Sequence, residues 1–239
     1  MKIERRSTLA GAKEAQGIVV VIDVLRAFTC AAMMFNYGIS ELVLVATADE
    51  AFEFRRRDPR YLIAGEIGGK QVDGFDLGNS PDEIIEKGEH YFKGRKVILR
   101  SSSGTQGATA LKANVQEIIV TGYLTASAVA RYIRNKKENE LIVTLLGMGS
   151  EGKEKSTEDE CCGNYIEHLL TGTTYDQVSA LRECLDDPLI VRSLRGERLH
   201  LPSEDIVLSL QRDLFDFVML GERAGDTVIL KTARTFSEA

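Results

Sequence analysis

Ile18-Val19-Val20-Val21-Ile22, running into Asp23-Val24-Leu25-Arg26-Ala27, is the stretch that decides the fold. Five β-branched residues with no polar alternation read as a strand covered on both faces, which is how a parallel strand sits between two layers of helices. Leu141-Ile142-Val143-Thr144-Leu145-Leu146 has the same character. Working outward, further short apolar runs read as strands: 40–45, 61–65, 96–99, 117–121, 216–221 and 227–232. The stretches between them have helical spacing, over 26–37, 81–91, 106–114, 125–134, 157–170, 175–185 and 203–213. The last two strands flank Glu222-Arg223-Ala224-Gly225-Asp226, the pattern of an antiparallel hairpin with Gly in its turn. Strands alternating with helices predict a three-layer α/β/α sandwich with a mixed, largely parallel sheet. With no repeat, linker or low-complexity tract in view, one domain is expected over 1–239.

Composition narrows the function. The chain has 239 residues with 44% hydrophobic and 28% charged, values of an ordinary globular protein. Thirty Lys+Arg against 36 Asp+Glu give a net charge of −6, which argues against a nucleic-acid partner. No apolar run approaches the ~20 residues that span a bilayer, so no membrane partner is expected. The opening Met1-Lys2-Ile3-Glu4-Arg5-Arg6 lacks the apolar stretch of a secretory signal, so the expected location is cytoplasmic. The cysteines are Cys30, Cys161, Cys162 and Cys184; the only close pair is vicinal, a poor zinc spacing, and all four read as structural.

In open α/β sheets, ligands bind where strands end and helices begin. The first long strand delivers Asp23 there, with Arg26 three residues on. Another delivers Glu66, followed by Gly68-Gly69-Lys70. A third leads into Ser101-Ser102-Ser103-Gly104-Thr105, whose hydroxyls and amides suit an anion at a helix start. The strand ending at Leu146 leads to Ser156-Thr157-Glu158-Asp159-Glu160, where carboxylates also gather, some of them expected in capping boxes with Ser156 and Thr157. Hard cations such as Mg²⁺ take carboxylate and phosphate oxygens, so this set points to metal-assisted chemistry on a phosphorylated substrate. Asp23, Glu66 and Asp159 are the candidate metal ligands. Asp23, Arg26 and Glu66 are the candidate catalytic groups. Arg26, Lys70, Ser102, Ser103, Gly104 and Thr105 are the candidate phosphate ligands.

Other readings are excluded or bland. His90, His168 and His200 do not follow strand tips among glycines, which disfavours a Ser-His-Asp hydrolase. Neither a P-loop nor a Gly-x-Gly-x-x-Gly turn occurs, so no nucleotide cofactor is implied. Leu25 stands where an aspartyl-phosphate enzyme of the haloacid-dehalogenase pattern would carry its second Asp, which ranks Asp23 as a metal or water ligand above a nucleophile. Glu158 remains a secondary candidate. So do Asp76 and Asn79, which look like turn residues before a helix capped by Ser80 with Pro81 at its first position. Asp205 looks like a first-turn helix residue.

Val21-Ile22-Asp23-Val24-Leu25-Arg26-Ala27, Gly65-Glu66, Gly74-Phe75-Asp76-Leu77-Gly78-Asn79-Ser80-Pro81, Ser102-Ser103-Gly104-Thr105 and Ser156-Thr157-Glu158-Asp159 together resemble the 2-phosphosulfolactate phosphatase family. The resemblance implies an α/β fold and a Mg²⁺-dependent phosphatase. It implies release of phosphate from 2-phosphosulfolactate to give 3-sulfolactate on a route to coenzyme M, and self-association, with a homodimer expected. Ile67 and Gln106 stand where that family usually carries Arg, which leaves a different phosphomonoester, or anion binding without turnover, as alternatives. Arg100 or Lys70 could make good the missing charge.

Overall fold

The computed structural model describes residues 1–136 and 140–234, so 137–139 and 235–239 of the expected domain lie outside the described residues. In chain order the elements are β1 (Lys2–Ser7), α1 (Thr8–Ala12), β2 (Ile18–Ile22), α2 (Ala27–Asn36), β3 (Glu41–Val45), α3 (Ala48–Arg57), β4 (Leu62–Ile67), β5 (Lys70–Gln71), α4 (Pro81–Lys87), α5 (Glu89–Phe92), β6 (Lys96–Arg100), α6 (Gly104–Ala110), β7 (Glu117–Thr121), α7 (Ala126–Arg134), β8 (Ile142–Gly147), α8 (Thr157–Thr171), α9 (Gln177–Asp186), α10 (Pro188–Leu194), α11 (Ser203–Ser209), β9 (Phe217–Ala224) and β10 (Thr227–Arg234).

The strands form one sheet in the order β1-β8-β2-β7-β9-β10-β3-β6-β4-β5. Strands β1, β8, β2 and β7 are mutually parallel, as are β3, β6 and β4. The β9–β10 hairpin joins the two groups by antiparallel pairing at every step, so the groups run in opposite directions. On a flat sheet their carboxyl ends would therefore face away from each other. They meet nonetheless: Gly104, just after β6, donates to Asp23, just after β2, at 2.7 Å. The sheet is thus curled across the hairpin.

Burial explains the curl. Alternate residues of β2 enter different cores: Val19 and Val21 pack with α2 and α6 residues such as Phe28, Met34 and Ala108, while Ile18, Val20 and Ile22 pack beneath α7, α8 and α9. From the other group, Leu42, Leu44, Val97 and Leu99 join the first core. Their neighbours Val43, Val45 and Ile98 form a third cluster with Ala51 of α3. Both groups thus wrap one face around α2 and α6 and cover the other with outer helices, which is the mixed, helix-flanked sheet expected. All of Ile18–Ile22 is buried, and each such side chain stabilises by about 1.5–3 kcal/mol.

Several boundaries move. The helix expected over 81–91 is broken at Gly88, which takes φ +69, into α4 and α5. The helix expected from Gln106 begins at Gly104 and ends at Ala110, and that from Ser203 stops at Ser209. Elements not foreseen are β1, α1, α3, β5 and α10. Among them, α3 carries a complete capping box between Thr47 and Glu50, and α10 has Asp187 as its cap with Pro188 at its start. Both signals are present in the sequence. No helix among the described residues is long and apolar enough to cross a membrane.

Candidate functional site

Asp23 leaves the end of β2 with its carboxylate buried. Its Oδ1 accepts from Ala27 N at 3.1 Å at the first turn of α2, and its Oδ2 accepts from Gly104 N. A Cβ on residue 104 would lie 2.6 Å from that Oδ2, so glycine is what allows α6 to start against the carboxylate. Asp159, in the first turn of α8, accepts from Val24 N and from Gly149 N, both at 2.8 Å. The capping box expected around it is absent, because Ser156 makes no side-chain cap bond and Asp159 is turned to the neighbouring strand tips instead. Glu160 of the same turn faces away, toward Arg5 and Ser7.

Glu66, at the end of β4, is buried and holds the adjoining loops: Oε1 accepts from Ser102 N at 2.5 Å, and Oε2 from Gly69 N at 2.6 Å and Ser102 Oγ at 3.0 Å. This revises the picture of the serine loop as a cradle of free amides. The Ser102 and Gly104 N–H groups are given to Glu66 and Asp23. Ser103 bridges Gly149 O and Gly152 N through its hydroxyl. Thr105 is buried in the helix start, bonded to Ser101. What the loop offers outward is the wall formed by Ser102 and Ser103.

Arg26 reaches the site through a cis Leu25–Arg26 peptide bond and is itself buried. Its Nη1 donates to Asp205 Oδ2 at 2.6 Å, and its Nη2 lies 3.4 Å from Gly69 O. Asp205 is fully buried; its other oxygen accepts from Ser80 Oγ at 2.7 Å and Asp82 N at 3.1 Å. Asp205 stands in the first turn of α11 as expected, and from there it also pairs with the site arginine. Ser80 and Pro81 start α4 as expected. Asp76 is structural, accepting from Ile63 N and pairing with Arg55.

These groups surround a cavity of about 380 Å³ lined by Arg26, Glu66, Asn79, Ser102, Ser103 and Glu158, among others. Asp23 and Asp159 stand behind the wall and fix its loops. Asn79 is buried, and its Oδ1 has no hydrogen-bond partner among the described residues. Lys70 is exposed and lines an adjoining cavity that shares Arg26 and Asn79. Arg100 does not line the cavity, its guanidinium donating to Glu66 O and Ala46 O. Gln106 likewise holds Ala46 O and Ser101 O, while Ile67 is half exposed.

Positive charge comes instead from segments that sequence reasoning passed over: Lys155 and Arg198 line the cavity, with His200 beside Arg198. In the chain His200 does not follow a strand tip among glycines. In space it packs on Gly69, where a Cβ would come within 2.5 Å of its ring. Burial and the nearby charges of Arg198, Arg26 and Lys70 hold its pKa below the ordinary value. No local pattern announces this; the composition Arg198-x-His200 just before a helix was the only available hint.

The electrostatics are those of an under-neutralised acidic pocket. Burial raises the pKa of Asp23, Glu158 and Asp159, and the charge of Asp159 raises Asp23 further, against the lowering effect of their backbone hydrogen bonds. Asp23, Glu66, Glu158 and Asp159 are all buried, yet among the described residues none is ion-paired, in contrast to Asp205. Buried carboxylates are ordinarily paired or metal-bound. The donor set, all oxygen, fits a hard divalent cation. Among the described residues no three acidic, His or Cys side chains close on a single point, so of these four carboxylates only Glu66 and Glu158, which line the cavity, would reach such an ion, and water and substrate oxygens would complete its shell, as is common for Mg²⁺.

Fold and site together define an α/β protein that sets a buried arginine, unneutralised carboxylates and serine hydroxyls around a small-molecule cavity at its strand tips. The chain belongs to the 2-phosphosulpholactate phosphatase family, whose model matches residues 5–224. It is 30% identical over 210 residues to a Bacillus subtilis protein named probable 2-phosphosulfolactate phosphatase, an alignment covering 87% of this chain and 89% of that one. It is 31% identical over 229 residues to a protein of the same name from Carboxydothermus hydrogenoformans, covering 91% and 92%.

Proposed function

We propose that this protein is a Mg²⁺-dependent phosphoric monoester hydrolase of a small phosphorylated acid, converting 2-phosphosulfolactate and water into 3-sulfolactate and phosphate, a step of the coenzyme M type. The observation that carries the reading is the set of buried carboxylates without ion pairs beside the buried Arg26, on a cavity of a size that suits a small ligand. Family membership and the relatives' names support the same substrate.

In this reading Arg26 holds the phosphoryl oxygens. One arm of its guanidinium is fixed by Asp205 and Nη2 lies against Gly69 O, so the group is held in place at the cavity it lines, where planar donors suit phosphate. Of the carboxylates expected as metal ligands only Glu66 lines the cavity, and with Glu158 it would hold the metal ion, whose charge would offset that of the phosphoryl group, while Asp23 and Asp159 hold the loops behind it. Glu66 sets the Ser102 loop, and Asp23 sets the start of α6. Ser102 and Ser103 close the wall, their hydroxyls donating to Glu66 and to Gly149 O. The reading also carries a cytoplasmic homodimer; four buried free thiols are in keeping with a reducing compartment.

The test is phosphate release from 2-phosphosulfolactate and from a chromogenic phosphate monoester, with and without Mg²⁺, for the wild type and Asp23→Asn. Metal-dependent release that falls by about 10²-fold or more in the variant is expected. No release under any condition, together with ligand-induced thermal stabilisation, would leave an anion-binding protein.

A further inference from the structure

Arg198 sits in the cavity wall on the segment between α10 and α11, half-buried. Among the described residues no carboxylate lies within ion-pairing distance of it, and its buried Nε has no hydrogen-bond partner. Among the described residues its side-chain hydrogen bond is Nη2 to His200 Nε2 at 3.1 Å. Guanidinium only donates, so His200 accepts through that nitrogen as a neutral imidazole, fixing the arginine without cancelling its charge. His200 is seated in turn against Gly69, which has φ +83 and no side chain to displace it. Arg26, by contrast, is already paired with Asp205. The cavity therefore has two arginines in different states: one anchored by a carboxylate, the other positioned by a neutral ring and left with charge and a donor to give.

We infer that Arg198, positioned by His200, is the subsite for a second acidic group of the substrate, a sulfonate or carboxylate distinct from the phosphoryl group held at Arg26. This rests on the phosphatase reading and extends it: the pocket selects phosphomonoesters that carry another acid. It also accounts for how the site manages without arginines at positions 67 and 106, since the charge arrives from a distant segment.

The experiment compares the wild type with Arg198→Ala and Arg198→Lys on two esters: 2-phosphosulfolactate, and 4-nitrophenyl phosphate, which has no second acid. For Arg198→Ala, KM for 2-phosphosulfolactate is expected to rise by about 10- to 100-fold, the loss of a hydrogen bond to a charged group. Turnover of 4-nitrophenyl phosphate should stay within about two-fold of wild type, and Arg198→Lys should recover part of the KM. Equal losses on both esters would overturn the assignment in favour of a role at the reacting phosphate, and unchanged KM on both would remove the subsite. Calorimetric binding of 3-sulfopropanoate, which has two acids and no phosphate, separates this inference from the activity. Binding abolished by Arg198→Ala supports the subsite even if no ester is hydrolysed, whereas binding that survives the substitution overturns it.

Discussion

Arg26 and Asp205, 179 residues apart in the chain, meet at 2.6 Å with both side chains out of solvent. Removing one partner of a buried pair strands the other charge. Asp205→Ala should therefore destabilise by about 3–5 kcal/mol, and Asp205→Asn, which keeps acceptors for Ser80 and Asp82, by less. Urea denaturation reads the difference; an Asp205→Ala midpoint equal to wild type would mean that Arg26 is solvated and the pair contributes nothing.

Gly104 starts α6 against Asp23, with Phe28 Cζ 3.0 Å from where a Cβ would stand. Gly104→Ala should cost about 1–3 kcal/mol by overpacking, and should depress phosphatase activity by pushing Asp23 off its amides. Thermal unfolding and phosphate release measured side by side decide this, and a variant with wild-type behaviour in both would refute the contact.

Glu66 offers two oxygens to three donors from two loops. In Glu66→Gln an amide NH₂ must face one of those N–H groups, so the expected loss is about 1–3 kcal/mol in stability with a fall in kcat. A normal kcat with reduced stability would confine Glu66 to a structural role.

pH should act with a definite sign. Burial and the Asp159 charge push Asp23 up to about 7, and burial with the Glu158 charge pushes Asp159 up to about 8, against ordinary values near 4 in the unfolded chain. The folded state keeps protons that the unfolded state has released, so this contribution is full below about pH 4 and is lost as pH rises through 7 to 8. Without divalent cations, Tm should fall between pH 5 and pH 8.5, and Mg²⁺ should restore more of it at the higher pH. A Tm that climbs over that interval would show the carboxylates to be ionised and content without metal.

Much of this was legible in one dimension. Ile18–Ile22 announced a strand covered on both faces, and its alternate side chains do enter two cores. Gly225 announced the β9–β10 hairpin, which is observed. The capping box at Thr47 and the Asp187-Pro188 start could have revealed α3 and α10. Strand β1 was hidden because Lys2, Glu4 and Arg6 charge an edge strand, and its identity comes only from pairing with β8.

Periodicity and strand-end composition by themselves determined the α/β class and which carboxylates, Asp23 and Glu66 foremost, stand at strand tips, because local spacing fixes which face a side chain takes. Tertiary structure alone decided that the sheet has two opposed halves, that Asp205 anchors Arg26, and that Arg198 and His200 enter the cavity. Those outcomes depend on how the chain closes over distances of a hundred residues or more, where burial of the α2–α6 core, and not any local pattern, sets what meets what.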